Sequence, residues 1–260
     1  MTREWDAASY HRVSGPQTGW GLRVLDRLAL DGHERVIDAG CGTGRLTAAL
    51  ADRVPRGRVL ALDRSWNMLL TARANLRPAY GSRVVFVQAA LPLVPVAAWA
   101  DVIFSTATFH WVRDHQALFN HLHAALRPGG RLHAQCGGGP NLARAHALAE
   151  SVMRSAPFAP YFEGWTGIWE FSDAETAAAR LAAAGFVDVD AGLEDARTTL
   201  ADEASYREFV TTVIYNPHLA RLPDPALRAR FIDEVTALAA REPTPFTLDY
   251  WRLNLRARRR

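Results

Sequence analysis

Residues 35–50 read RVIDAGCGTGRLTAAL. An apolar run ends in three glycines at alternate positions, Gly40, Gly42 and Gly44, and a helical pattern follows at once. Strand, glycine turn and helix in that order confine the chain to folds that place a ligand at a strand's carboxyl end. Glycines there permit positive φ and close approach of the backbone. The helix N-terminus beyond them favours a carboxylate or phosphate. A dinucleotide fingerprint, G-x-G-x-x-G, needs glycine where Arg45 stands, and here the third glycine falls one residue early. A phosphate-binding P-loop needs a lysine, and the chain has none; all 30 basic residues are arginine. Asp63 closes the next apolar run, RVLALD, where an acidic residue accepts from ribose hydroxyls. Asp38, just before the glycines, is placed to orient the loop or to accept from an ammonium group.

The rest of the first half repeats this alternation. The pattern predicts strands at 35–40, 58–63, 83–88, 100–106 and 131–137. Helices are predicted at 45–54, at 66–76 with Ser65 as cap, and at 114–126 with Asp114 as cap. Strands alternating with helices imply a parallel sheet with right-handed crossovers. Beyond Gly139 the pattern changes. A helix at 141–155 precedes an aromatic loop or lid, APFAPYFEGWTGIWEF. A helix then runs into the strand FVDVDAGL, residues 202–241 are helical with a break, and FTLDYWRLNL alternates as a late strand. These late strands are expected to add antiparallel at the sheet edge.

With 260 residues and 49% hydrophobic content the chain can bury one large core. No run of about 18 apolar residues exists to span a membrane, and the N-terminus lacks an apolar signal core. Cys41 and Cys136 do not read as a disulfide framework, which fits a reducing, cytoplasmic setting. The formal charge of +3 becomes −1 once the four arginines of the terminal RARRR are set aside. That tail is expected to fray. A charge resting on it argues against a nucleic-acid footprint, where basic residues line a face.

VIDAGCGTG with LALDRS resembles the class I S-adenosylmethionine (SAM) dependent methyltransferases. FHWV, LRPGGRL and the opening WDAASYHRVSGPQTGWG are similar to the small-molecule branch that includes trans-aconitate methyltransferases. The resemblance spans about the whole chain and is strongest over 35–137. It implies a Rossmann-like α/β fold: a seven-stranded, mostly parallel sheet with an antiparallel late strand, helices on both faces and helical lid insertions. It implies a single domain over 1–260, divided into an N-terminal helical lid (1–34), a SAM-binding core (35–139), substrate-pocket insertions (140–172 and 193–245) and the late strand (246–255).

By the same resemblance, Asp38, Gly40, Gly42, Gly44 and Asp63 hold SAM. Met68 lies against the adenine, and Arg64, Ala90 and Thr106 are also counted among the cofactor-binding residues. One position departs from the family: the acidic residue that normally meets the adenine amino group is replaced by Ala89 or Ala90 in VFVQAALPLVP. A missing neutral hydrogen bond is worth about 0.5–1.5 kcal/mol, small against a whole cofactor.

His110 and Trp111, in FSTATFHWVRDH after the fourth strand, fall at the active-site rim. His110 is the candidate base or substrate contact; the alternative reading has it fixing the loop. Tyr10 and His11 in the N-terminal segment, and Tyr161 and Trp165 in the aromatic insert, are further substrate-pocket candidates. No zinc spacing is present, and His121 and His123, two apart on a helix, face different ways, so no metal is expected.

The implied reaction is methyl transfer to a small molecule, an EC 2.1.1 activity with S-adenosylhomocysteine (SAH) as product. The branch favours oxygen as acceptor. A carboxylate needs no base, whereas a hydroxyl would use His110, and the residues leave these open. Methylation at nitrogen or carbon, and a non-catalytic SAM-binding protein, are the alternatives. A nicotinamide oxidoreductase is disfavoured by the glycine spacing. The sequence carries no sign of oligomeric state.

Overall fold

The computed structural model describes residues 4–7, 11–12 and 14–260. Tyr10 lies outside the described residues. Seven strands form one sheet in the order β3-β2-β1-β4-β5-β9-β6. They are β1 (Arg35–Ala39), β2 (Arg58–Asp63), β3 (Val84–Gln88), β4 (Ala100–Thr106), β5 (Leu126–Gly137), β6 (Phe186–Asp195) and β9 (Trp251–Arg259). Strands β7 (Thr198–Thr199) and β8 (Thr247–Leu248) pair separately. β1 runs parallel to β2 and to β4, with Ile37 opposite Leu60 and Ile103. Apolar side chains on both faces of β1, β2 and β4 are buried, the signature of strands covered on each side.

Helices α1 (Gly15–Asp26), α2 (Arg45–Arg53) and α3 (Trp66–Tyr80) cover one face, around Leu25, Leu50 and Leu76. Helices α4 (His115–Ala125) and α7 (Ala174–Ala183) cover the other, around Leu118, Leu122 and Leu181. Ser65 and Asp114 cap α3 and α4 by accepting from the backbone N–H of Met68 and Ala117.

Between α4 and α7 lie α5 (Ala143–Met153) and α6 (Ala159–Phe162). After β7 come α8 (Glu203–Phe209), a π-helical turn (Val210–Ile214), α9 (Asn216–Leu219) and α10 (Pro225–Ala239). These segments share a core of their own, centred on Phe158, Tyr215 and Phe231, with Trp20 and Tyr250 reaching into it. The inserts are therefore a packed layer beyond the carboxyl ends of the strands.

Two expectations are corrected. The late strand occupies 251–259 rather than 246–255; the two late strands add at the sheet edge beyond β5 as expected, with β9 antiparallel between β5 and β6. Leu253, Leu255 and Ala257 are buried on one face of β9, so an interior position suits it. The edge falls to β6, whose Asp188, Asp190 and Glu194 make a charged rim that resists pairing with another chain. The arginine tail does not fray. Arg256 and Arg258 pair with Asp190 and Asp188, and Arg259 donates to the carbonyls of His123, Ala124 and Leu126. Among the described residues no helix is long and apolar enough to cross a membrane.

Candidate active site

β1 lies between β2 and β4, so the connections from its neighbours leave in opposite directions and open a crevice above its carboxyl end. A cavity with about 1270 Å³ of free space, partly open to solvent, occupies that crevice. Its floor is the glycine turn. The N–H groups of Gly40 and Cys41 both donate to the carbonyl of Leu62 at 2.8 Å, which ties the turn to β2. Gly40 has φ +88°, and a Cβ there would meet Thr108 Oγ1 at 2.1 Å. The loop after β4 thus rests on the turn. Gly42, at φ +54°, has open space where a Cβ would stand.

Gly44 does different work from the other two. At φ +86° it caps α2, and a Cβ would strike Leu76 and Ala72 of α3 at 2.8 and 3.1 Å. It serves close packing between helices and does not line the cavity.

The carboxylate of Asp63 accepts from the N–H of Gly42 at 2.9 Å and of Ser65 at 2.8 Å. Burial raises its pKa, against those two hydrogen bonds. Arg64, Met68, Ala89 and Ala90 line the cavity beside it. Asp38 is buried beneath the turn, accepts from Thr47 Oγ1 at 2.6 Å, and is pushed by burial up to about 7. It lines a smaller recess with Arg45, Gln17 and Thr106, and Gln17 and Thr106 line the main cavity too. Gln17 Oε1 is buried with no hydrogen-bond partner among the described residues.

This donor set fits SAM. An acid deep under the turn and an unsatisfied amide oxygen suit an ammonium group. An acid at the end of β2 suits ribose hydroxyls, and the apolar wall of Met68, Ala89 and Ala90 suits an adenine face.

His110 lines the cavity and is half-buried. Its Nδ1 accepts the N–H of Gly137 at 3.1 Å. Burial, then the charge of Arg252, hold its pKa well below the usual histidine value, so the ring is neutral. With Nδ1 occupied as acceptor, the proton of the neutral ring resides on Nε2. Trp111 lines the cavity as well, edge-on to Trp5 at 5.5 Å between ring centroids. Glu4 accepts from Ser65 Oγ at 2.6 Å, so residues 4–5 reach across the opening from α3 to the loop after β4.

The remaining candidates sit elsewhere. His11 Nδ1 lies 2.9 Å from Thr43 Oγ1, and its Nε2 accepts from Arg45 Nε at 3.4 Å; Thr43 and Arg45 both line the smaller recess rather than the main cavity. Tyr161 and Trp165 pack into the insert core, Trp165 edge-on to His218 at 4.7 Å. Both cysteine thiols are pushed up by burial, Cys136 to about 12, so neither offers a thiolate.

Sequence reasoning missed Asn141, His146, Tyr250 and Arg252, all of which line the cavity. Arg252 is buried, its Nε donates to the carbonyl of Cys136 at 3.3 Å, and its guanidinium stacks over Trp20 at 4.8 Å. One signal was available: an arginine within the alternating pattern of FTLDYWRLNL. Its position emerges only once β9 is known to enter antiparallel, which brings Arg252 opposite Gly137 at the ligand end of β5.

Sheet order, glycine turn and paired acids together define a SAM-dependent methyltransferase core. A methyltransferase-domain family model matches residues 36–130. A trans-aconitate 2-methyltransferase of Methylobacterium radiotolerans is 33% identical over 245 residues, 90% of this chain and 88% of that protein. One from Variovorax paradoxus is 35% identical over 164 residues, with the match spanning 60% of this chain and 58% of the relative. Among solved structures, phosphoethanolamine N-methyltransferase 2 of Haemonchus contortus in complex with SAM has a TM-score of 0.63 at 18% identity, covering 97% of this chain and 56% of that one. The chain belongs to the class I SAM-dependent methyltransferases, in the family that includes the trans-aconitate 2-methyltransferases.

Proposed function

We propose that the chain methylates a carboxylate oxygen of a small-molecule acid. The observation that supports this reading is the fixed tautomer of His110. Its Nδ1 is committed to the Gly137 N–H, so its Nε2 donates a proton rather than accepting one. A hydroxyl acceptor would need a base; a carboxylate needs donors and a cation. Arg252 and the His110 ring supply both on the same cavity. The acid named in the relatives, trans-aconitate, carries carboxylates and is compatible with this chemistry.

SAM, when bound, supplies a methyl carbon already activated by its sulfonium: the C–O bond forms as the C–S bond breaks, the electron pair stays on sulfur, and no proton moves. The chain's own contribution is positional. Asp38 and Gln17 hold the amino-acid end, and Asp63 fixes the ribose. His110 and Arg252 aim the acceptor oxygen, and the aromatic rim excludes water.

The test is incubation with methyl-labelled SAM and separate panels of acids, phenols and amines. Labelled product from acids, cleaved by mild alkali as a methyl ester is, with SAH released in equal amount, is the expected result. Alkali-stable label on phenols or amines with none on acids overturns the reading.

A further inference from the structure

One wall of the cavity is a run of aromatic rings that touch one another. Trp5 meets Trp111 edge-on at 5.5 Å, Trp111 meets Trp169 at 6.0 Å, and Trp169 stacks on Phe171 at 6.4 Å and 10°. His110 sits within this wall, 5.3 Å from the Trp111 ring and 5.9 Å from Phe171. Leu142 and the π-helical Val213 and Ile214 complete the lining.

Charge is scarce by comparison. Among the described residues lining the cavity, the cationic side chains are Arg64 and Arg252. Arg64 follows Asp63 at the end of β2, and Arg252 is carried by β9 opposite Gly137, beside His110. The two histidines add no charge, because burial lowers both, His146 to about 4. His146 instead offers one neutral polar atom: its Nε2 is buried with no hydrogen-bond partner among the described residues, beside Trp169 at 4.8 Å.

We infer that the acceptor is a monocarboxylic acid with a flat, apolar body, and that this chain discriminates against di- and tricarboxylates, trans-aconitate included. The inference rests on the carboxylate reading above and specifies its substrate class. A single carboxylate meets Arg252 and the His110 donor, and the body lies along the tryptophan wall, where stacking favours planar groups. A second or third carboxylate would leave water for an apolar wall that offers it no further cation among the described residues, which is strongly unfavourable.

The experiment compares four acids on the full chain with SAM: trans-cinnamate, octanoate, trans-aconitate and citrate. Binding of each to the SAH complex is measured alongside by calorimetry. The expected result is kcat/KM for trans-cinnamate at least about tenfold above that for either polycarboxylate, with octanoate between them. Equal or better turnover of trans-aconitate overturns this inference and leaves carboxylate methylation standing. Methylation of phenols or amines but of no acid overturns both. No binding of any of the four acids at millimolar concentration overturns the inference as well. Trp169→Ala should raise KM for trans-cinnamate about tenfold while leaving SAM affinity unchanged. The unchanged affinity shows that the variant has folded, and an unchanged KM in such a variant also overturns the inference.

Discussion

Asp38 and His110 show how single residues tie the site to proton equilibria. Burial pushes Asp38 from the ordinary 3.8 up to about 7, with the nearby charge of Asp63 adding to the shift. A carboxyl whose folded pKa is raised binds more protons folded than unfolded between those values. Its contribution to stability is therefore full below about 3.8 and declines as pH rises to about 7. A bound ammonium group reverses this by favouring the charged form. The rise in melting temperature given by SAM should thus grow from pH 5 to pH 8, and Asp38→Asn should flatten that dependence; a rise independent of pH in the unaltered chain would contradict it. His110 gives a sharper contrast. Glutamine can accept from the Gly137 N–H and still donate into the cavity, whereas alanine does neither. His110→Gln should retain kcat within about tenfold while His110→Ala loses about a hundredfold. Equal loss in both variants would restore the histidine as a base.

At the scale of elements, the glycine turn separates what sequence could and could not reveal. The strand–turn–helix order, both N-caps, and β2 and β4 with their limits were all legible, because local periodicity and capping chemistry determine them. Gly44 was legible as a glycine but not in its role, since that depends on Ala72 and Leu76 arriving from α3. Gly44→Ala places a Cβ at positive φ against that helix, and should destabilise the fold by about 1–3 kcal/mol, read as a lower denaturation midpoint. Gly42→Ala meets no neighbouring atom, so its cost is limited to the backbone strain of its φ. Its larger effect should be on SAM affinity, measured by calorimetry. Arg252, Asn141 and His146 were not legible as a group. They come from β9, the approach to α5 and α5 itself, and only tertiary assembly brings them to one cavity.

For the whole molecule, the order of strands matters more than the count. The parallel half, β1 to β5, was readable as repeated strand–helix units. The place of β9 was not, because pairing across more than a hundred residues leaves no local trace. The terminal arginines show the consequence for stability. Exposed pairs such as Arg256–Asp190 and Arg258–Asp188 are worth about 0–1 kcal/mol each. Arg256→Gln with Arg258→Gln should therefore shift the melting temperature only slightly. Deleting 256–260 also removes buried Ala257, the Arg259 contacts to three carbonyls and the end of the strand between β5 and β6. That truncation should lower the melting temperature well beyond the double substitution; equal shifts would mean the tail contributes charge alone.

The insertion of β9 also sets a schedule. As the polypeptide leaves the ribosome, the glycine turn, Asp63 and the loop carrying His110 are all made before β5 has a neighbour on its outer side. Until residues 251–259 emerge, β5 keeps an open edge and β6 has no partner in the main sheet. The event that closes that edge is the one that delivers Arg252 to the cavity. The nucleoside cradle and the His110 loop are thus encoded early in synthesis, and Arg252, the cation proposed to hold the acceptor, comes last.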